Sequence, residues 1–349
     1  MKVQEKKDYE TLQMRINSFP SFVMEFIHYK LNDDRSPSSM LEYLRDYDHF
    51  FWWMVWEVFV ELKEIKEISI CQIDELTVQH IRNYERCLRI TEKMSERSVS
   101  RKLHSIRSLF NYLHDIAENE KGNPLIKSNV FRKFILKRAP GTLTVARTIH
   151  EKDLLTADES NDFIDYIQNR YRNENKKNPQ AIWNYDRNKE RDVCIINLIL
   201  GSGLLVSDIV NLDIEDISLN DNQVNITRQW SAQRSSHYVL ISNSANNFLK
   251  KYIDLRRMIY QPTDDESALF LAVKNGQKIG NRITKRAVQA MVLKYADKYG
   301  KPELTTRQLR YSFGLEYQKQ SNYVQTKQQL ALRNIEATEK YQILSELLE

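Results

Sequence analysis

The sequence predicts a multidomain chain, an all-α N-terminal part followed by a mixed, mainly α C-terminal part with a small antiparallel sheet. Three observations carry this. Apolar residues recur at helical spacing through most of the first 118 residues. Strict alternation occurs in only two short runs, Val224-Asn225-Ile226-Thr227 and Tyr238-Val239-Leu240-Ile241. Between the two parts lies a break at Pro140-Gly141.

Taken in order, residues 8–31 read as one amphipathic helix, with Leu12, Ile16, Phe19, Phe22, Val23, Phe26 and Ile27 as its stripe despite Pro20. Ser36-Pro37 then reads as an N-cap followed by proline in the first turn. The helix it opens carries Leu41, Leu44, Tyr47 and Phe51 and runs into Trp52, Trp53 and Trp56, an aromatic cluster read as core rather than a base-stacking platform. Helices over 73–90 and 98–118 follow, the second capped by Ser95 or Ser98. On that helix Arg97, Arg101, Lys102 and Arg107 gather opposite Leu103, Ile106, Leu109, Phe110 and Leu113. The division expected is 1–138, a linker over 139–148, and a second domain over 149–349.

In the second part 156–171 reads as helix, 170–188 as a polar loop and 191–200 as a buried helix. The two alternating runs pair as the sheet. Helices over 243–260 and 280–299 come next, the latter basic, with Arg282, Lys285 and Arg286 near its start. The helical run 304–341 and a short amphipathic tail, Gln342–Glu349, complete the chain.

The chain has 349 residues, enough for two cores. With 52 Lys and Arg against 47 acids, the net charge of +5 is a weak pointer to a polyanion. Its distribution points harder: residues 81–138 hold fourteen basic and six acidic side chains. Such a basic helical segment suits phosphate binding; the alternative is a solvated helix face. Three scattered cysteines, Cys71, Cys87 and Cys194, without a Cys-x-x-Cys, imply a reducing cytoplasm and no metal site. No apolar run is long enough to span a bilayer.

Chemistry concentrates in 304–341. Arg310 could hold a phosphate through its donor fork, and Tyr341, some thirty residues on, could attack phosphorus if activated. The pattern Arg307-Gln308-Leu309-Arg310, with Ala331-Leu332 and then Tyr341, resembles the signature of tyrosine site-specific recombinases: His-x-x-Arg, a Gly-His pair, and a nucleophilic tyrosine nine residues beyond that histidine. Gly201-Ser202-Gly203-Leu204-Leu205-Val206-Ser207-Asp208 resembles the family's Gly-x-Gly-Leu-Arg-x-Ser-Glu box. The run from Phe19 to Phe51, with Ser36-Pro37-Ser38-Ser39, is similar to Xer-type members.

The resemblance implies a SAM-like core-binding domain before a catalytic-type domain, and double-stranded DNA, at an inverted-repeat site, as partner. It implies no cofactor. Tyr341 takes the nucleophile position and Arg310 the phosphate clamp. Other positions depart from the family. The first arginine is Leu205, the histidine of His-x-x-Arg is Arg307, and the later histidine is Leu332. No lysine lies in the hairpin stretch Gln229–Arg234, although Arg228, Arg234 and His237 surround it. None of the seven histidines follows His237.

The expectation is therefore a DNA-binding recombinase-like protein with a degenerate strand-transfer site, the alternative being an active recombinase that uses substituted residues. Arg97, Arg101, Lys102, Arg107, Arg228, Arg234, His237, Arg282, Lys285 and Arg286 are the expected DNA contacts. A homo-oligomer on DNA, or association with an active recombinase, would use the tail; the alternative is that the tail packs on its own chain.

Overall fold

The computed structural model describes residues 3–136, 141–150, 154–229, 234–273 and 279–347. One compact unit is built from residues up to Ala139; the second starts at Pro140. The first is all helical and the second mixed.

In the first unit α1 (Val3–Ile16) and α2 (Ser21–Asn32) stand where one helix was expected. Pro20 ends the run, since it lacks an amide proton and keeps extended backbone (φ −56°, ψ 151°). α3 (Pro37–Glu57) opens on Ser36, whose hydroxyl accepts the Ser39 amide at 3.3 Å, as the Ser-Pro pair predicts. α4 (Ile70–Asp74), α5 (Val78–Arg86) and α6 (Glu96–Asp115) complete it. Thr77 caps α5 and so divides the helix expected over 73–90. Ser95 is the cap of α6.

The core of this unit is aromatic. Phe26 meets the rings of Tyr47 and Tyr112 at 6.0 and 5.3 Å, and Phe50 meets Tyr84 at 4.9 Å. Of the three tryptophans only Trp53 is buried; Trp56 is 66% exposed and stacks on Trp52. The core reading therefore holds fully for Trp53 and in part for Trp52, which packs half-buried against the same core, while Trp56 faces solvent.

The second unit begins with α7 (Thr142–His150), so the stretch read as linker is helical from Thr142. Its Ala146 and Ile149, three apart, pack with Leu315 and Leu344. α8 (Ala157–Asp165) and α9 (Tyr171–Glu174) follow, then α10 (Pro179–Ser202). α10 starts well inside the stretch read as loop. Asn178 accepts the Ala181 amide at 3.0 Å and Pro179 sits in the first turn, so capping outweighs the polar composition.

After α11 (Val206–Asn211) comes a three-stranded antiparallel sheet in the order β1 (Ile217–Ser218), β2 (Gln223–Gln229), β3 (Arg234–Leu240). Its register pairs Val224 with Val239, Ile226 with His237 and Arg228 with Ser235. The period of two places Arg228 on the face of Val224 and Ile226, which is buried. α12 (Asn243–Tyr260) leads to a second small sheet, β4 (Leu271–Ala272) with β5 (Asn281–Arg282). α13 (Lys285–Tyr299), α14 (Thr306–Gln320), α15 (Tyr323–Gln329) and α16 (Ile335–Glu346) finish the chain. Among the described residues no helix is long and apolar enough to cross a membrane.

Candidate phosphate and nucleophile site

The site is built around the carbonyls of one turn, Leu330-Ala331, between α15 and α16. Arg310, on the buried face of α14, donates from Nη2 to Leu330 O at 2.8 Å and from Nη1 to Gly203 O. Arg228 reaches the same turn from β2, donating to Leu330 O at 3.1 Å and to Ala331 O, and its Nη2 meets Asp208 Oδ2 at 2.6 Å. Two guanidinium groups thus converge on one peptide, arriving from a helix and from a strand.

The supports are local. Gly203 ends α10 in the left-handed conformation (φ +71°), and a Cβ there would strike Phe313 and Leu330. Asp208 accepts the Leu205 amide at 2.9 Å while holding Arg228, so the acid of the box still has a cation although residue 205 offers none. Leu205 itself is 38% exposed. Gln329 ties the turn down, donating to Leu240 O at 2.7 Å and Ser202 O at 3.0 Å. Ala331 has φ +44°, a conformation glycine adopts without strain and alanine does not. The turn holds a positive φ at the position where the resembled signature has glycine.

Tyr341, on α16, is fully buried. Among the described residues its Oη has no hydrogen-bond partner of acceptable geometry. Burial raises its pKa, opposed first by the nearby Arg310 and more weakly by Arg228. The phenol is thus neutral beside two guanidinium groups, and among the described residues no base accepts its proton.

Arg307, in the position of the missing histidine, is exposed one turn before Arg310. Leu332 is half-buried, its amide bonded to Lys327 O at 3.0 Å, and has no group that could bind or protonate an oxygen. His237 lies in β3 with Nε2 2.7 Å from Ser235 Oγ. Its pKa is lowered by burial and then by Arg228, with Asp208 pulling the other way. The hairpin tip 230–233 and the Arg234 side chain lie outside the described residues.

The other basic candidates divide by their partners. Arg97, Lys285 and Arg286 are exposed and Arg107 is half-buried. Arg101 instead clamps the fully buried Asp46 at 2.5 and 2.8 Å, and the buried Lys102 stands 3.4 Å from the same carboxylate. Arg282 donates to Val210 O and Leu212 O at 3.1 Å and pairs with Asp213, bracing the entry to the small sheets. These three side chains have structural partners. The tail also packs inward as far as Leu344, which is buried against α7 and α14.

Sequence reasoning passed over Lys340 and the Asp208–Arg228 pair. The pair joins residues twenty apart and no local pattern announces it; Lys340 is marked in the sequence only by its place beside Tyr341. Among the described residues no cluster of three metal-ligating side chains occurs.

Comparisons fit this geometry. Over 332 residues, 92% of this chain and 91% of theirs, the chain is 29% identical to the tyrosine recombinase XerS of Lactococcus lactis subsp. lactis (strain IL1403) and 30% identical to that of Streptococcus agalactiae serotype III (strain NEM316). In fold it is similar to the XerH site-specific recombinase in a pre-cleavage complex with difH substrate, at TM-score 0.59 and 15% identity, covering 90% of this chain and 80% of that one. A lambda integrase dimer bound to a COC′ core site aligns at TM-score 0.57 and 12% identity, over 92% and 94% of the two chains. Residues 154–346, from α8 through α16, match the phage integrase family. With the two guanidinium groups and the tyrosine in that span, the chain belongs to the phage integrase family of tyrosine recombinases.

Proposed function

We propose that this protein binds an inverted-repeat site in double-stranded DNA through a core-binding domain over 1–138 and a catalytic-type domain over 149–349, and that its strand-transfer chemistry is impaired. It acts in the cytoplasm, on its own or beside an active recombinase. The observation that carries the impairment is the pair Leu205 and Leu332, set beside a Tyr341 whose proton has no acceptor among the described residues. Strand transfer needs positive groups on the equatorial oxygens and a proton for the departing 5′-oxygen. Losing one such donor costs about 10²–10³ in rate, and here several are replaced together.

The second reading, an active recombinase, is favoured by one observation: Arg228, held by Asp208, brings a second guanidinium beside Arg310. A substrate nicked near the cleavage position decides between them. Attack by Tyr341 Oη forms a phosphotyrosyl bond and releases a short strand that diffuses away, so even slow chemistry accumulates. The expected result is site binding with no covalent adduct. A denaturation-resistant protein–DNA species that disappears with Tyr341→Phe would establish the enzyme instead.

A further inference from the structure

We infer that Lys340 is a third phosphate ligand of this site, an ammonium that takes up its proton when DNA binds. The inference rests on the DNA-binding reading above.

Lys340 precedes Tyr341 on α16 and faces α14. Its Nζ lies 5.2 Å from the ring centroid of Tyr311 and 5.2 Å from that of Tyr341. The charges acting on it are those of Arg310 and Arg307, both positive. The other elements packed on α16 bring no relief: α7 carries Arg147 and His150, α15 carries Lys327, and neither has an acid. On α14 Glu316 pairs with Lys319 at 2.9 Å, and on α16 Glu339 is exposed. Among the described residues, then, two guanidinium groups and no carboxylate act on Lys340.

A solvated lysine would extend its head into water and keep its ordinary charge. This one lies half-buried across two rings beside two guanidinium groups. Burial first, then Arg310 and Arg307, lower its pKa to about 8. Such an arrangement is unfavourable alone and relieved by an anion. A phosphodiester at the Arg310 donors would supply the missing negative charge and return the ammonium to its protonated form. The family's hairpin lysine is absent, and Lys340 brings an ammonium to the site from the nucleophile helix instead.

The test is the pH dependence of affinity, measured by fluorescence anisotropy of the full chain with a labelled mixed-sequence duplex at constant ionic strength. Where the free ammonium is deprotonated and the bound one is not, binding takes up a proton. Affinity should then fall as pH rises through about 8, approaching about tenfold per pH unit at the limit of one proton. Lys340→Arg should keep the affinity seen at neutral pH and flatten the profile, because a guanidinium stays charged throughout. Lys340→Met should bind weakly at neutral pH and also be flat.

Wild type that binds duplex salt-dependently but shares its pH profile with both variants overturns the assignment and leaves the DNA-binding reading standing. Wild type without salt-dependent affinity overturns both. If Lys340→Met fails to fold, shown by circular dichroism, the arginine variant alone decides: a pH slope it retains sinks the inference.

Discussion

The ring of Tyr341 rests on Gly314. A Cβ at position 314 would come within 2.8 Å of Tyr341 Cδ1 and closer still to Cε1, so the missing side chain on α14 is what admits α16. Two effects of Gly314→Ala oppose each other. Removing a helix-interior glycine stabilises by about 1 kcal/mol, whereas overpacking costs about 1–3 kcal/mol. Because the obstacle is a ring fixed between helices, the second should win. The expected outcome is a net loss in chemical denaturation that largely disappears when Gly314→Ala is made in a Tyr341→Ala background. A double-mutant cycle with no coupling between the positions would show that α16 adjusts freely.

Ala331 offers the opposite case. Its φ of +44° is costly for alanine, and its carbonyl is held by Arg228. Ala331→Gly should therefore raise stability by about 0.5–1 kcal/mol, even though glycine loses more entropy on folding. A lowered unfolding midpoint would mean that the alanine methyl, buried in this turn, contributes more than the strain removes.

How much of this was legible in the sequence depends on the range over which each signal acts. The Ser36-Pro37 cap and the two alternating runs are local, and the structure follows both; the break expected at Pro140-Gly141 falls partly outside the described residues, and the helix expected over 8–31 divides after Ile16. Family register places Arg310 and Tyr341 in chemistry-bearing positions, and the structure brings them together. The clustering of positive charge along helices placed Arg101, Lys102 and Arg282 on basic surfaces. All three have internal partners, Asp46 for the first two and Asp213 for the third, because a charge count cannot see a buried carboxylate from a different helix or loop. Arg228 stands out in the sequence as a cation beside the hairpin, but its pairing with Asp208 follows only from the sheet register.

The Arg228–Asp208 pair should dominate the stability of this corner. Both side chains are nearly buried, so Arg228→Ala would strand a carboxylate and release two carbonyls at the turn. A loss of about 3 kcal/mol is expected. Adding Leu205→Arg should restore part of it, since the residue 205 amide already bonds Asp208. His237 reports independently. Its folded pKa lies below the ordinary value, through burial and then through Arg228, so the unfolded chain protonates first and stability falls as pH drops through about 6.5. In Arg228→Ala that pKa should rise and the acid loss shrink, as an NMR titration of the imidazole would show. An unchanged pKa would mean that Arg228 exerts no field on the ring.

Lys285 and Arg286 pose a sharper test of what the exposed charges are for. They occupy the first turn of α13, after the Thr284 cap, where the helix dipole is positive and a cation is unfavourable by about 0.3–1 kcal/mol. Both are exposed, so packing does not compensate them. If they serve the fold, Lys285→Gln with Arg286→Gln should lower stability; if they serve a polyanion, it should raise stability slightly and weaken duplex binding. The second outcome is expected. Together with Arg97→Gln the change removes three positive charges, and the slope of log affinity against log salt should flatten by about 0.9 for each charge that meets a phosphate. Neutralising Arg101 and Lys102 would be a poor substitute, because it uncovers the buried Asp46 and confounds binding with unfolding. A triple variant with unaltered salt slope and unaltered affinity would remove these residues from the DNA surface and leave their unfavourable placement without an account.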